Sequence, residues 1–136
     1  WFDLPDDTLA YILDNRLDLA GGLHAVEHAA IGVLPLFALC DRNDIGGIST
    51  PLHPDTGRPQ VFIHDGHPGG VGIAEHGYDI VRDLWEATLE VIANCPCESG
   101  CPSCIQSPKC GNNNQPLDKE VAVLVLREIL ADPDRV

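Results

Sequence analysis

Cys95-Pro-Cys97-Glu-Ser-Gly-Cys101-Pro-Ser-Cys104-Ile-Gln-Ser-Pro-Lys-Cys110 gathers five of the chain's six cysteines into sixteen residues. Sulfur at that density, on a run rich in Pro and Gly, points to a structural metal, with zinc as the expected ion. A tetrahedral Zn²⁺ site needs four soft ligands joined by short, turn-rich connections, and Cys101-x-x-Cys104 supplies one such loop. Cys97, Cys101, Cys104 and Cys110, separated by three, two and five residues, form the expected ligand set. Cys95 is the spare, expected to join the metal if Pro96 sits in a turn. The competing reading of the run is a disulfide framework, which a reducing compartment disfavours.

Outward from this run, the flanking segments read as helices. On its N-terminal side, residues 78–94 place Ile80, Val81, Leu84, Trp85, Leu89 and Ile92 three or four apart, the strongest amphipathic pattern in the chain. On its C-terminal side, Val121, Leu124, Val125, Glu128 and Ile129 follow Asp118, a suitable N-cap. The cysteine loop, residues 95–110, is therefore expected to join the last two helices.

Further upstream, Trp1-Phe-Asp-Leu-Pro5 reads as a short extended lead-in. Asp6-Asp-Thr8 opens a capped helix that ends at Asn15 or Asp18. Ala20-Gly21-Gly22 is expected to break the chain. A second helix from about Leu23 to Val33, apolar on most sides, then takes a central place until Pro35 kinks or restarts it. Residues 45–53 and 60–65, separated by the turn cluster Pro54-Asp-Thr-Gly-Arg-Pro59, read as a hairpin, followed by the glycine-rich run Gly66 to Gly72 and a short segment at 73–76. The expected fold is a single α+β domain over residues 1–136, with about four helices around a small antiparallel sheet.

Composition bounds the function. With 44% apolar residues in 136, the chain has the means to bury one core. The longest apolar stretch, about Ala29 to Cys40, is too short to span a bilayer and contains Gly32 and Pro35. No membrane partner and a cytoplasmic location are expected, and Cys40 reads as a buried, inert thiol. The chain starts Trp1-Phe2-Asp3 and contains no methionine, so a piece of a longer protein is expected. A formal charge of −13, from 21 acidic against 8 basic residues, repels phosphate. Tight, free-standing nucleic-acid binding is thereby disfavoured.

Two other patterns carry chemistry. His24-Ala-Val-Glu27-His28 matches the H-x-x-E-H arrangement of inverted zinc peptidases, with Glu86 or Glu90 as the further carboxylate ligand that a hydrolase would need. The plainer account is a pair of helix histidines hydrogen-bonded to the hairpin or capping the core. Asp65-Gly-His67-Pro-Gly-Gly70-Val-Gly72 has the glycines of a phosphate cradle, but it lacks the Lys-Ser/Thr of a P-loop and reads more simply as a tight connection. Asp41, Asp44 and Asp65, with histidines nearby, have the chemistry to bind a cation, but read more simply as solvated or capping groups beside turns. Lys109 and Arg82 are candidate phosphate contacts because positive charge is so scarce. An adaptor that binds protein through the acidic surface is a third functional class.

Taken together, the His-Ala-x-Glu-His-Ala helix, the Asp-Gly-x-Pro-Gly-Gly-x-Gly loop and the cysteine run continuing to Cys110-Gly-Asn resemble the MrfA-type zinc-binding (MZB) domain. That domain stands at the C-terminus of a clade of superfamily 2 DNA helicases. The resemblance covers about Trp1 to Leu130 and implies one structural Zn²⁺ held by four cysteines drawn from Cys95, Cys97, Cys101, Cys104 and Cys110. It also implies a parent that is an ATP-driven 3′-to-5′ translocase in DNA repair. ATP and Mg²⁺ would then belong to motor domains elsewhere in the same polypeptide, since the chain carries no Walker-type motif, and the domain would brace the motor and help guide single-stranded or duplex DNA. Lys109 and the uncharged Asn112 to Gln115 run are the expected strand-facing residues.

Overall fold

The computed structural model describes residues 2–35, 45–52, 59–65, 81–98, 100–101, 104–106, 110 and 114–131. Cys40, Asp41, Asp44, residues 54–58 of the turn cluster, the glycine-rich loop at 66–72, the segment at 73–76, Lys109, Asn112 and Asn113 lie outside these residues. The order of elements is β1 (Phe2–Asp3), α1 (Asp6–Asp14), α2 (Leu19–Val33), β2 (Ile45–Thr50), β3 (Gln60–Asp65), α3 (Val81–Asn94) and α4 (Lys119–Ala131). The α+β architecture expected from the sequence is thus present, with the cysteine loop between α3 and α4.

The two strand-like runs pair antiparallel, Ile45 opposite Asp65 through Thr50 opposite Gln60. The N-terminal lead-in does more than lead in. Phe2 and Asp3 pair with Val61 and Gln60, so β3 becomes the centre of a three-stranded sheet in the order β1-β3-β2.

Helix α2 is the hub: it packs against α3, α4, β2 and β3. Thirteen of its fifteen residues are buried, which explains a segment apolar on nearly every side. Leu23, Ala25, Val26 and Ala30 are fully enclosed, and each large apolar side chain so placed contributes about 1.5–3 kcal/mol. Facing them are Trp85 and Ile92 from α3 and Val121, Ala122, Val125, Leu126 and Ile129 from α4.

The expected break at Gly21-Gly22 is overturned, because α2 begins four residues before Leu23 and runs through both glycines. Asp18, considered as the end of the first helix, instead caps the second by accepting from the Gly21 N–H at 2.9 Å. The glycines are there for contact. A Cβ on Gly22 would stand 2.8 Å from Val121 Cβ, and the Gly21 carbonyl accepts from the Asp118 N–H at 3.0 Å. Glycine thus lets the start of α4 lie directly on the start of α2, a gain that offsets its low helix propensity of about 1 kcal/mol. Asp118 caps α4 as its sequence suggests, with its Oδ1 accepting from the Val121 N–H at 3.0 Å.

Candidate metal centre

The first cluster follows from the way α3 ends. Its last buried residue is Ile92, and the chain leaves helical geometry after Asn94, carrying Cys95 and Cys97 past the N-terminus of α4. The Cys101–Cys104 segment then turns sharply. The N–H groups of Cys104 and Gln106 both donate to the Cys101 carbonyl at 3.1 Å. Gly100 at φ +123° makes the approach, in a conformation that disfavours side chains, and a Cβ there would meet Ile105 Cγ1 at 2.7 Å. Ile105 itself is fully buried in the main core. It anchors the loop to the domain, and its position directly after the Cys-x-x-Cys is the signal that could have revealed it.

This folding brings the sulfurs of Cys95, Cys97, Cys101 and Cys104 within 4.8 Å of one another. Cys95 and Cys101 are 3.4 Å apart, Cys97 and Cys104 3.5 Å, and Cys101 and Cys104 3.8 Å. A Zn–S bond of about 2.3 Å gives tetrahedral S···S edges of about 3.8 Å, so the donor set fits a closed zinc site. The separations are far too long for S–S bonds, and all five described cysteines are free. The disulfide framework is not present among them.

The expected set of Cys97, Cys101, Cys104 and Cys110 is not the one the fold assembles. Cys95 takes the fourth place. The condition of a turn at Pro96 was unnecessary, because residues two apart in an extended segment share a face. Cys110 lies elsewhere, its Sγ 3.6 Å from His24 Nε2. The burial of Ile105 explains the divergence, since it draws the chain after Cys104 down onto α2.

Lys119, the first residue of α4, was not singled out from the sequence. Its Nζ donates to the carbonyls of Cys95 at 2.9 Å and Cys97 at 2.6 Å and to the Cys97 sulfur at 3.2 Å. Burial pushes the Cys97 thiol up, but the Lys119 hydrogen bond and then those of the neighbouring thiols outweigh it and hold this group down at about 6. For Cys104, burial dominates and the surrounding sulfurs add to it, pushing the thiol up to about 12. The ammonium of Lys119 is itself held protonated, above all by its bond to Cys97. A cation beside four converging sulfurs is what a site carrying two net negative charges when filled by Zn²⁺ requires.

The His24, Glu27 and His28 side chains also meet, although not as a hydrolase. They are buried on α2, at 8%, 6% and 5% exposure. Both imidazoles brace the cysteine loop and the start of α4 instead of the hairpin: Nδ1 of His24 meets the Pro116 carbonyl and Nδ1 of His28 the Ile105 carbonyl, each at 2.7 Å. Burial pushes the Glu27 carboxyl up to about 7. The carboxylates nominated as further ligands are elsewhere. Glu86 is exposed and pairs with Arg82 at 3.2 Å, and Glu90 is exposed on α3. Arg82 in turn donates to the Leu130 carbonyl at 2.8 Å near the end of α4, a capping role in place of the suggested phosphate contact. No helix among the described residues is long and apolar enough to cross a membrane.

Several known proteins are similar to this chain. A protein of Methanocaldococcus jannaschii, MJ1572.1, is 40% identical over 114 residues, covering 80% of this chain and all of the relative. The ATP-dependent helicase YprA of Bacillus subtilis is 42% identical over 76% of this chain but 12% of its own length, and the ATP-dependent helicase HRQ1 of Saccharomyces cerevisiae is 29% identical over 96% and 13%. The chain therefore spans about an eighth of these helicases. Among solved structures, the DUF1998 helicase MrfA bound to DNA superposes with a TM-score of 0.65 at 31% identity, over 93% of this chain and 15% of that one. The MrfA Zn-binding domain profile matches residues 26–105, a span that takes in the second half of α2, strands β2 and β3, α3 and all four clustered cysteines. Helicase relatives and a four-sulfur site leave the peptidase reading without support, and the chain belongs to the MrfA Zn-binding domain family.

Proposed function

We propose that this chain is the structural zinc module in the C-terminal part of an ATP-dependent, 3′-to-5′ superfamily 2 DNA helicase, where it braces the motor and helps guide DNA during repair. The observation that carries the reading is the convergence of Cys95, Cys97, Cys101 and Cys104 beside Lys119. We assign these four cysteines as the ligands. A bound Zn²⁺ would cross-link the end of α3 to the loop before α4, and four thiolates leave no open position for a catalytic water. Thiolates at this density suit a reducing compartment such as the cytoplasm.

ATP and Mg²⁺ belong to motor domains of the parent polypeptide. DNA, single-stranded or duplex, is met through that parent, because a charge of −13 gives the module no general attraction for phosphate. Lys109 is the local contact we assign to the strand.

The test is made in the parent helicase. Cys101→Ser is expected to abolish zinc binding at the four-sulfur site and reduce DNA unwinding, with Lys109→Glu weakening DNA affinity while zinc is retained. Unwinding that persists at full rate after zinc is lost would refute the bracing role. DNA affinity unchanged by Lys109→Glu would remove that residue from the interface.

A further inference from the structure

His24, His28 and Cys110 each offer one donor atom, and these three atoms lie within 4.8 Å of one another. The arrangement shares no residue with the four-sulfur cluster. We infer that this is a second metal site, taking a zinc-class divalent cation through two imidazole nitrogens and one thiolate.

Tautomer is the first support. A backbone carbonyl only accepts, so the bonds at 2.7 Å to Pro116 and Ile105 place the proton of each neutral ring on Nδ1. Each Nε2 then carries a lone pair. This is how metal-ligating histidines are oriented, with the far ring N–H held by a carbonyl and the near nitrogen fixed toward the ion.

Distance and charge agree. The helical offset of four residues sets the two rings on one face of α2, with centroids 4.2 Å apart. Cys110 Sγ approaches His24 Nε2 to 3.6 Å, which matches the S···N edge of about 3.5 Å that Zn–S near 2.3 Å and Zn–N near 2.05 Å produce. Glu27 Oε2 lies 3.9 Å from both Nε2 atoms, so a carboxyl group stands beside the two imidazoles as a partner in charge. Two imidazole lone pairs and a sulfur converge, and one cation satisfies all three at once. Gly47 contributes by its small size: a Cβ there would stand 2.8 Å from Glu27 Cγ.

Such an ion would tie α2 to the far end of the cysteine loop, while the four-sulfur site holds its near end. Imidazole and thiolate together favour zinc over magnesium or calcium.

The experiment is zinc stoichiometry by mass spectrometry on the full chain, unmodified and with Cys110→Ser, His24→Asn, Cys95→Ser or Cys101→Ser, with helix content followed by circular dichroism. Two zinc ions per chain are expected, falling to one with Cys110→Ser or His24→Asn. X-ray absorption on the unmodified chain needs no substitution, and should give an average of about 2.5 sulfurs and one imidazole per zinc against about four sulfurs for a single thiolate site. One zinc with sulfur ligands alone, unaffected by Cys110→Ser, would overturn the second site and leave the four-cysteine site standing. A single zinc lost with Cys110→Ser and kept with Cys95→Ser would overturn both assignments.

Discussion

The four-sulfur loop and helix α2 show two ways of holding polar chemistry in place. The sulfurs of Cys95, Cys97 and Cys101 are half-buried, and among the described residues of their loop only Cys104 and Ile105 are buried in the core. Four thiolates brought that close repel one another. The loop therefore depends on a cation for its shape. His24 and His28 are buried on a helix that packs against four other elements, and backbone carbonyls orient their rings. In α2 the scaffold exists before any ligand arrives, whereas in the loop the ligand makes much of the scaffold.

Metal removal is the strongest way to break that contrast. Chelation, or Cys101→Ser, is expected to unfold residues 95–106 locally, drawing on apparent zinc binding energies of roughly 10–16 kcal/mol in small zinc modules. Hydrogen exchange should report protection lost there and kept in the middle of α2. Equal loss in both regions would mean that the core also depends on the metal.

The converse change tests the other region. Leu23→Ala empties a fully buried position in α2 and should cost about 2–5 kcal/mol in denaturant unfolding. Zinc content should stay unchanged below the midpoint.

The smallest expected effect sharpens the picture of the loop. Lys119→Met removes the donor to Cys97 and should lower zinc affinity about 10–100-fold. The sign of its pH effect follows from the role of Lys119 in holding the Cys97 thiol down at about 6. Without that bond the thiol takes up a proton at higher pH, and since zinc binds the deprotonated ligand, acid release should begin at higher pH than in the unmodified chain. A zinc-release curve that does not move would assign Lys119 to the backbone carbonyls alone.

Much of this was legible along the chain because the information was local. The spacing in α3 is helical, the hairpin strands end at turn residues, Asp118 stands where a cap belongs, and a cysteine run within sixteen residues announces a metal whatever the surrounding fold. What tertiary structure decided is where distant segments meet. It ran α2 through Gly21 and Gly22 because α4 lies against them. By burying Ile105, it gave the fourth place in the sulfur cluster to Cys95 and set Cys110 beside His24, 86 residues away. It also swung Lys119 back onto the carbonyls of Cys95 and Cys97. Spacing limits which donors have the reach to share an ion. Which of them do so is set by the packing that turns the loop, and that packing is a property of the whole core.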